Sequence, residues 1–424
     1  MIGVDISGIW CRLTLPEVLG DERAIFDAHM ELAGGEYRQS GCYGWLRQAD
    51  STRRELLEGI RDAAAKLRTS SSSIVVLGTG LPVAGVKAAV RLARGRRATT
   101  PRLIFAGDNC SPDDWDDVLA ALNGGDFSVL AISPTGNELP PLIALRSLRW
   151  ILEKRYGDAM KERVILAAPA GANAMAALAD AEGYTFCETP EEPGGAVSAL
   201  QPAALLLLAA AGHNPDLLWE GANAQYEACD DRSMENPAWL YAAARTALGK
   251  KHYAHELLCV PSPAAAELGQ WWSRVATSFC CKGGAGAWAT PVRVPEDLFT
   301  LGDGLLDGGQ RQFATLLRLP RSLKNTAVEM TWKDPDKLGA LTGVELSTVE
   351  ETTLDRLLQS FGEADVPAIT VQCEEDMTDD KLGELLYFAE FSAALAAKAS
   401  GLDPFALPQT RGFLRGLDSA LGRT

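Results

Sequence analysis

The stretch DFSVLAISPTGNELPPLIALRSLRWILEKRYG, residues 126–157, decides the fold. Phe127 to Ile132 is short and bulky, as a strand buried on both faces should be. The polar loop Ser133-Pro134-Thr135-Gly136-Asn137-Glu138 follows, and from Leu142 to Tyr156 the apolar residues recur at helical spacing. Upstream, Ile74-Val75-Val76-Leu77 is a β-branched run bounded by Ser and Gly, hence a second buried strand. Gly78-Thr79-Gly80 turns the chain, and Val83 to Leu92 has helical spacing. Leu103 to Ala106 is a third strand, leading to Ser111-Pro112-Asp113-Asp114. That sequence is an N-cap, a proline at the first helical position and two carboxylates facing a helix dipole. Strands alternating with helices predict a parallel sheet. Ligands of such sheets bind at the carboxyl ends of strands and on helix N-termini. Ser133 to Glu138 is therefore the first candidate ligand loop.

Working outward, the segment up to about residue 50 reads as helices, and Thr52 to Leu67 as an amphipathic helix. Val164 to Ala168 and Tyr184 to Cys187 complete the first set of strands, with a small-residue helix from Ala170 to Ala181 between them. Glu191-Glu192-Pro193-Gly194-Gly195 is the clearest breaker cluster. Helices follow over Gln201–Ala211, Asn214–Cys229 and Pro237–Leu248. A second α/β unit resumes with a strand at His255–Val260, a helix at Pro263–Thr277 and a glycine-rich loop from Phe279 to Gly286. Strands are expected at Leu316–Leu319, Ala327–Trp332 and Ala368–Gln372, and helices at Val349–Phe361, Thr378–Ser400 and Thr410–Leu421. The organisation expected is a helical segment (1–50), two α/β domains (51–195 and 196–378) and a C-terminal helical segment (379–424) that completes a cleft.

A chain of 424 residues has room for two such domains. Its 47% hydrophobic and 23% charged residues are those of a globular protein. A net charge of −16 argues against a nucleic-acid or anionic-membrane surface, since either needs a basic face. The nine scattered cysteines form no Cys-x-x-Cys pair, so a reducing compartment without disulfides is expected. No basic stretch precedes an apolar one at the N-terminus, and Ala203 to Ala211 is too short to span a bilayer. The expectation is a cytoplasmic protein without metal or cofactor.

The segments TPRLIFAGDN and DFSVLAISPTGNELPPLIALRSLRWILEKRYG resemble the first sugar-isomerase (SIS) domain of bacterial glucose-6-phosphate isomerases, and the similarity runs through nearly the whole chain. Trp45 falls on a matching tryptophan in the opening segment. The resemblance implies two SIS-type, doubly wound domains with mainly parallel sheets flanked by helices. It also implies a homodimer and a sugar or sugar-phosphate ligand in a cleft lined by Gly78, Thr79, Gly80, Ser133 to Glu138, Gly194 to Ser198, Ser278 to Lys282 and the C-terminal helix, with Ser198, Cys280, Cys281, Lys282 and Arg415 among the candidate contacts. The family's loop reads Ser-Lys-Ser-Gly-Thr-Thr, and its hydroxyls and amides hold the phosphate. Here Ser133, Thr135 and Gly136 keep that character, and Asn137 can still donate. Glu138 puts a carboxylate where the family places a phosphate, or else serves as a helix N-terminal carboxylate. In the first glycine turn a family serine is replaced by Pro82.

Moving a carbonyl between C1 and C2 of a sugar phosphate needs a base with a pKa near neutrality and positive charge near the enediolate. The family's arginine falls on Ala196, its glutamate on Ser278, its histidine on Phe299 and its lysine on Leu414. Arg415 is one helical step, about 100°, from the lysine position and is a poor stand-in. Cys280 or Cys281 could act as a thiolate beside a cation, although a partly buried free thiol is the favoured reading. His29 reads as a packed or solvent-facing helix residue. His252 and His255 are spaced for a metal on a helix but lack a third ligand, so exposed or capping roles are favoured. Three functions stay open: a binding or regulatory homologue without isomerase activity, which is favoured; an enzyme of new chemistry using Lys282, a cysteine, Glu138 or C-terminal arginines; and an isomerase with relocated groups.

Overall fold

A computed structural model describes residues 2–33, 50–92, 101–189, 198–261, 263–320, 325–406 and 408–423. The first half is a parallel sheet of β2 (Ser73–Gly78), β3 (Arg102–Ala106), β4 (Phe127–Ile132), β5 (Val164–Pro169) and β6 (Thr185–Thr189), ordered β3-β2-β4-β5-β6. The second sheet is ordered β1-β10-β9-β7-β8. Its parallel strands are β7 (His255–Val260), β8 (Trp288–Arg293), β9 (Gln312–Arg318) and β10 (Ala368–Cys373). Both sheets thus repeat a flavodoxin-like winding, 2-1-3-4, in which the chain reverses direction across the sheet beside its first strand. In the fifth place the second sheet carries β1 (Ile2–Asp5), antiparallel to β10. The expected α/β class with two mainly parallel, helix-flanked sheets is what the chain forms.

The helices, in chain order, are α1 (Leu15–Leu19), α2 (Glu22–Ala33), α3 (Asp50–Ser70), α4 (Leu81–Leu92), α5 (Pro112–Ala121), α6 (Leu139–Tyr156), α7 (Ala174–Glu182), α8 (Pro202–Ala210), α9 (Pro215–Cys229), α10 (Pro237–Lys250), α11 (Ala266–Cys280), α12 (Leu298–Leu305), α13 (Leu346–Glu363), α14 (Asp379–Ala399) and α15 (Pro408–Ala420). Their starts follow local chemistry: Ser111, Asn173, Asn214 and Asn236 each accept a backbone N–H from the first turn, and proline follows at three of the four. Every residue of α8 is buried, and α14 is buried on nearly all sides, as helices apolar all round should be. One continuous core joins the two halves, with Trp239, Trp271, Trp272, Tyr241, Tyr387 and Phe388 at its centre. Helices α9 and α14 meet backbone to backbone there. A Cβ on Gly383 would lie 2.1 Å from the Leu218 carbonyl oxygen, and one on Gly221 would lie 1.8 Å from that of Asp380.

Four local readings are corrected. The opening segment, read as helices, begins with β1, a strand too short to show a period. Strand β8 was not expected because Pro291 interrupts it; as an edge strand it pairs only with β7, so the missing N–H costs no ladder bond. Ala327 to Trp332 alternates like a strand yet, among the described residues, makes one isolated bridge, Ala327 with Glu345, and joins neither sheet, because strand propensity forms no ladder without a neighbour in register. Finally, α11 runs through Cys280, so Phe279 and Cys280 belong to a helix rather than to the glycine-rich loop. His252 sits in a left-handed turn after α10 (φ 64°) and His255 begins β7, so the two do not share a helix face. His29 is packed: its Nδ1 accepts from Trp239 Nε1 at 2.8 Å.

Candidate functional site

In the first sheet the winding reverses between β2 and β4, whose carboxyl ends lie side by side, with Gly78 in register with Ile132. A crevice at such a reversal is where this architecture binds ligands. The turn Gly78-Thr79-Gly80 and the loop Ser133–Glu138 meet there. Gly80 has φ 86°, and a Cβ on it would stand 3.8 Å from Pro134 Cγ. Gly136 has φ 76° and lies so close to Asn173 that a Cβ would fall 2.1 Å from its Oδ1. Only glycine serves both demands.

The loop's polar groups bond to one another. Ser133 Oγ donates to the Glu138 carboxylate, and Thr135 donates to it from Oγ1 (2.8 Å) and from its backbone N–H (3.2 Å). Gly136 N–H donates to Ser133 Oγ (2.7 Å), and Asn137 N–H to Thr135 Oγ1 (3.3 Å). Asn137 Oδ1 accepts from the Ala174 N–H at 3.0 Å, tying the loop to α7. Glu138 is the residue before α6, but its side chain caps no amide of that helix; it folds back over the loop. The C-terminal end of the chain reaches the same loop, where Arg423 Nη2 donates to the Asn137 carbonyl at 3.3 Å.

The second group of candidates gathers on α14. Ser198 Oγ donates to Glu390 at 2.8 Å and Ala199 N–H to the other carboxylate oxygen at 2.7 Å. Burial pushes the Glu390 carboxyl up to about 8, against the pull of those two bonds. One turn along α14, the Ala393 carbonyl accepts from Cys280 Sγ at 3.2 Å. Helix α4 connects the two groups, since a Cβ on Gly85 would fall 2.3 Å from Ala199 Cβ and 3.0 Å from Trp271 Nε1.

Cys280 is buried, and burial raises its pKa even though Arg245 lies 3.5 Å from the sulfur. Arg245 is itself held by Glu256 at 2.6 Å, and Tyr241 and Thr315 hydroxyls complete that carboxylate's bonding. Lys282 donates to three carbonyls, those of Asp403, Pro404 and Ala406, at 2.7–2.8 Å. Burial lowers its pKa. Cys281, just after α11, is half-buried, and Ser278 lies half-buried on that helix. Phe299, on α12, is 85% exposed, and Leu414 and Arg415 lie on the outside of α15. Trp45, Gly194 to Val197 (with Ala196) and the breaker cluster at 191–195 lie outside the described residues.

Glu390 and Glu256 were missed from the sequence. The available signal was a lone carboxylate inside an apolar run (Leu385 to Leu395, and Glu256 to Val260), since a charge so placed must be buried with partners. Beside the crevice, a groove of about 550 Å³ opens between α5 and α6, floored by Ile104 and Ala106 and rimmed by Asp108, Asp114 and Asp117. It touches none of the candidate residues. Among the described residues no cluster of three or more His, Cys, Asp or Glu is placed to hold a metal ion, and no helix is long and apolar enough to cross a membrane.

A glucose-6-phosphate isomerase of Streptococcus gordonii is 30% identical over 394 residues, 91% of this chain and 88% of its own length. The chain belongs to the glucose-6-phosphate isomerase family. A glucose-6-phosphate isomerase of Clostridium perfringens is 29% identical over 430 residues, 99% of this chain and 95% of its own. Among solved structures, a hypothetical protein of Thermus thermophilus has a TM-score of 0.85 at 18% identity, covering 99% of this chain and 100% of that one. A glucose-6-phosphate isomerase of Chlamydia trachomatis has a TM-score of 0.78 at 14% identity, covering 96% and 85%. These two show the shared fold. No protein-family model matches the chain. Ser278, Phe299 and Leu414, the residues expected at the family's glutamate, histidine and lysine positions, are neutral side chains, two of them exposed.

Proposed function

We propose that this member of the glucose-6-phosphate isomerase family binds a sugar or sugar phosphate without isomerising it, and acts as a binding or regulatory homologue. Ser278 carries the reading. Helix α11 carries this hydroxyl at the position that the resemblance gives to a carboxylate base, and a serine hydroxyl cannot take a carbon-bound proton near neutral pH. Three of the groups that could support new chemistry are occupied elsewhere. Lys282 is spent on three carbonyls, Cys280 is buried with a raised pKa, and Glu138 is bonded within its own loop. The third reading, an isomerase with relocated groups, needs a free acid or base in the crevice. Glu390 is held by Ser198 and Ala199, and Glu256 by Arg245. A coupled assay converting glucose 6-phosphate to fructose 6-phosphate tests the proposal. The expected result is no turnover above background, for Ser278→Glu as well as for the natural chain. Turnover within tenfold of ordinary enzymes, about 1–10³ s⁻¹, would overturn it.

The assembly proposed is a homodimer. Phe299, Leu301, Met330, Trp332 and Phe413 are large apolar side chains left exposed by a single chain, the composition of an interface core. Light scattering should give twice the 45.3 kDa chain mass; a monomer at micromolar concentration would refute this.

A further inference from the structure

Two features of the crevice bear on which ligand it accepts. The first is the loop's donor count. The hydroxyls of Ser133 and Thr135 and the Thr135 amide all point at the Glu138 carboxylate, while the Gly136 and Asn137 amides are taken by the two hydroxyl oxygens. A cradle of this kind binds an anion, and here the anion is the chain's own. The second feature is independent of Glu138. A helix N-terminus attracts phosphate because its first amides are unbonded. Helix α6 begins Leu139-Pro140-Pro141, so two of those first-turn positions have no N–H to offer. Across the crevice, α4 begins Leu81-Pro82, which removes another. Both helices that open on the crevice have lost donors at the end that would face a phosphate.

We infer that Glu138 is a specificity-determining residue, an internal anion that holds the loop's donors against phosphate, so that the crevice selects uncharged sugars over sugar phosphates. The inference rests on reading the crevice as a sugar site and narrows its ligand class. A phosphate monoester entering the loop must displace a carboxylate bonded by three donors or sit against its charge, and the prolines leave it fewer amides in return. An uncharged hexose meets neither obstacle, since it brings no anion to the loop and does not depend on the donors that Glu138 holds.

Calorimetric titration of the full chain tests this, using the natural sequence, Glu138→Gln and Glu138→Thr, with glucose 6-phosphate, glucose and inorganic phosphate. Glutamine removes the charge and keeps the shape; threonine removes both. Glucose 6-phosphate should bind at least tenfold more tightly to both variants, about 1.4 kcal/mol, with a smaller gain at high salt. Glucose affinity should move by less than about twofold, under 0.5 kcal/mol. If glucose 6-phosphate binds the natural chain as tightly as the variants, the inference falls and the binding proposal stands. Inorganic phosphate needs only the loop. Phosphate gained by the variants, with no hexose bound by any form, upholds the role of Glu138 and overturns the sugar-binding proposal. No anion bound by either variant overturns the inference.

Discussion

Replacing Glu390 with glutamine should stabilise the protein by an amount that grows with pH. The carboxyl is buried on α14 with no cation among the causes of its shift, and burial lifts its pKa from 4.5 to about 8. Below pH 4.5 it is protonated in both folded and unfolded chains, so pH changes nothing. Between 4.5 and about 8 the unfolded chain releases the proton and the folded chain keeps it, so stability falls as pH rises. Above about 8 both forms are ionised and the loss is complete. Each pH unit of that window is worth about 1.4 kcal/mol, on the order of 5 kcal/mol over its whole width. Glutamine retains both bonds, since its oxygen accepts from Ala199 N–H and its amide donates to Ser198 Oγ. Urea unfolding of both proteins from pH 5 to pH 9 measures the effect, because every other titrating group cancels in the difference. The variant's advantage should widen steadily and level off above about pH 8. A gap that stays constant across the series would mean that Glu390 ionises like an exposed carboxyl, and would refute the buried latch between Ser198 and α14.

Lys282→Met should destabilise the protein by about 1–3 kcal/mol, because three carbonyls lose one donor. Faster hydrogen exchange around residues 403–406, with β2 to β6 unchanged, is the expected signature, and uniform exchange across the chain would contradict it. Gly383→Ala should cost at least about 3 kcal/mol, since the new methyl would stand 2.1 Å from the Leu218 carbonyl and force α9 away from α14. Thermal melts decide that case, and a melting temperature unchanged from the natural chain would show that the two helices do not meet so closely.

Local chemistry is legible in the residues themselves. The run Ile74 to Leu77 and the six residues of β4 are apolar enough, and short enough, to be buried strands in any context. Ser111 before Pro112 starts a helix because a hydroxyl and a fixed φ act within one turn. That Ser278, Phe299 and Leu414 are neutral side chains likewise needed no structure. What the sequence could not determine are the meetings of distant groups, because periodicity specifies a face and not its neighbour. Strand β1 is four residues long and exists because β10, some 370 residues later, offers it an edge. Ala327 to Trp332 has the better strand pattern and joins neither sheet. Lys282 looked like a cation free for chemistry until the turn at 403–406 closed over it. Glu390 and Ser198 lie 192 residues apart and become partners only because α14 is driven into the shared core, where an unbonded carboxyl would be too costly to keep. Glu138 shows the division within six residues. The sequence placed a carboxylate beside a ligand loop, and only packing turned it back onto Ser133 and Thr135 instead of toward the amides of α6.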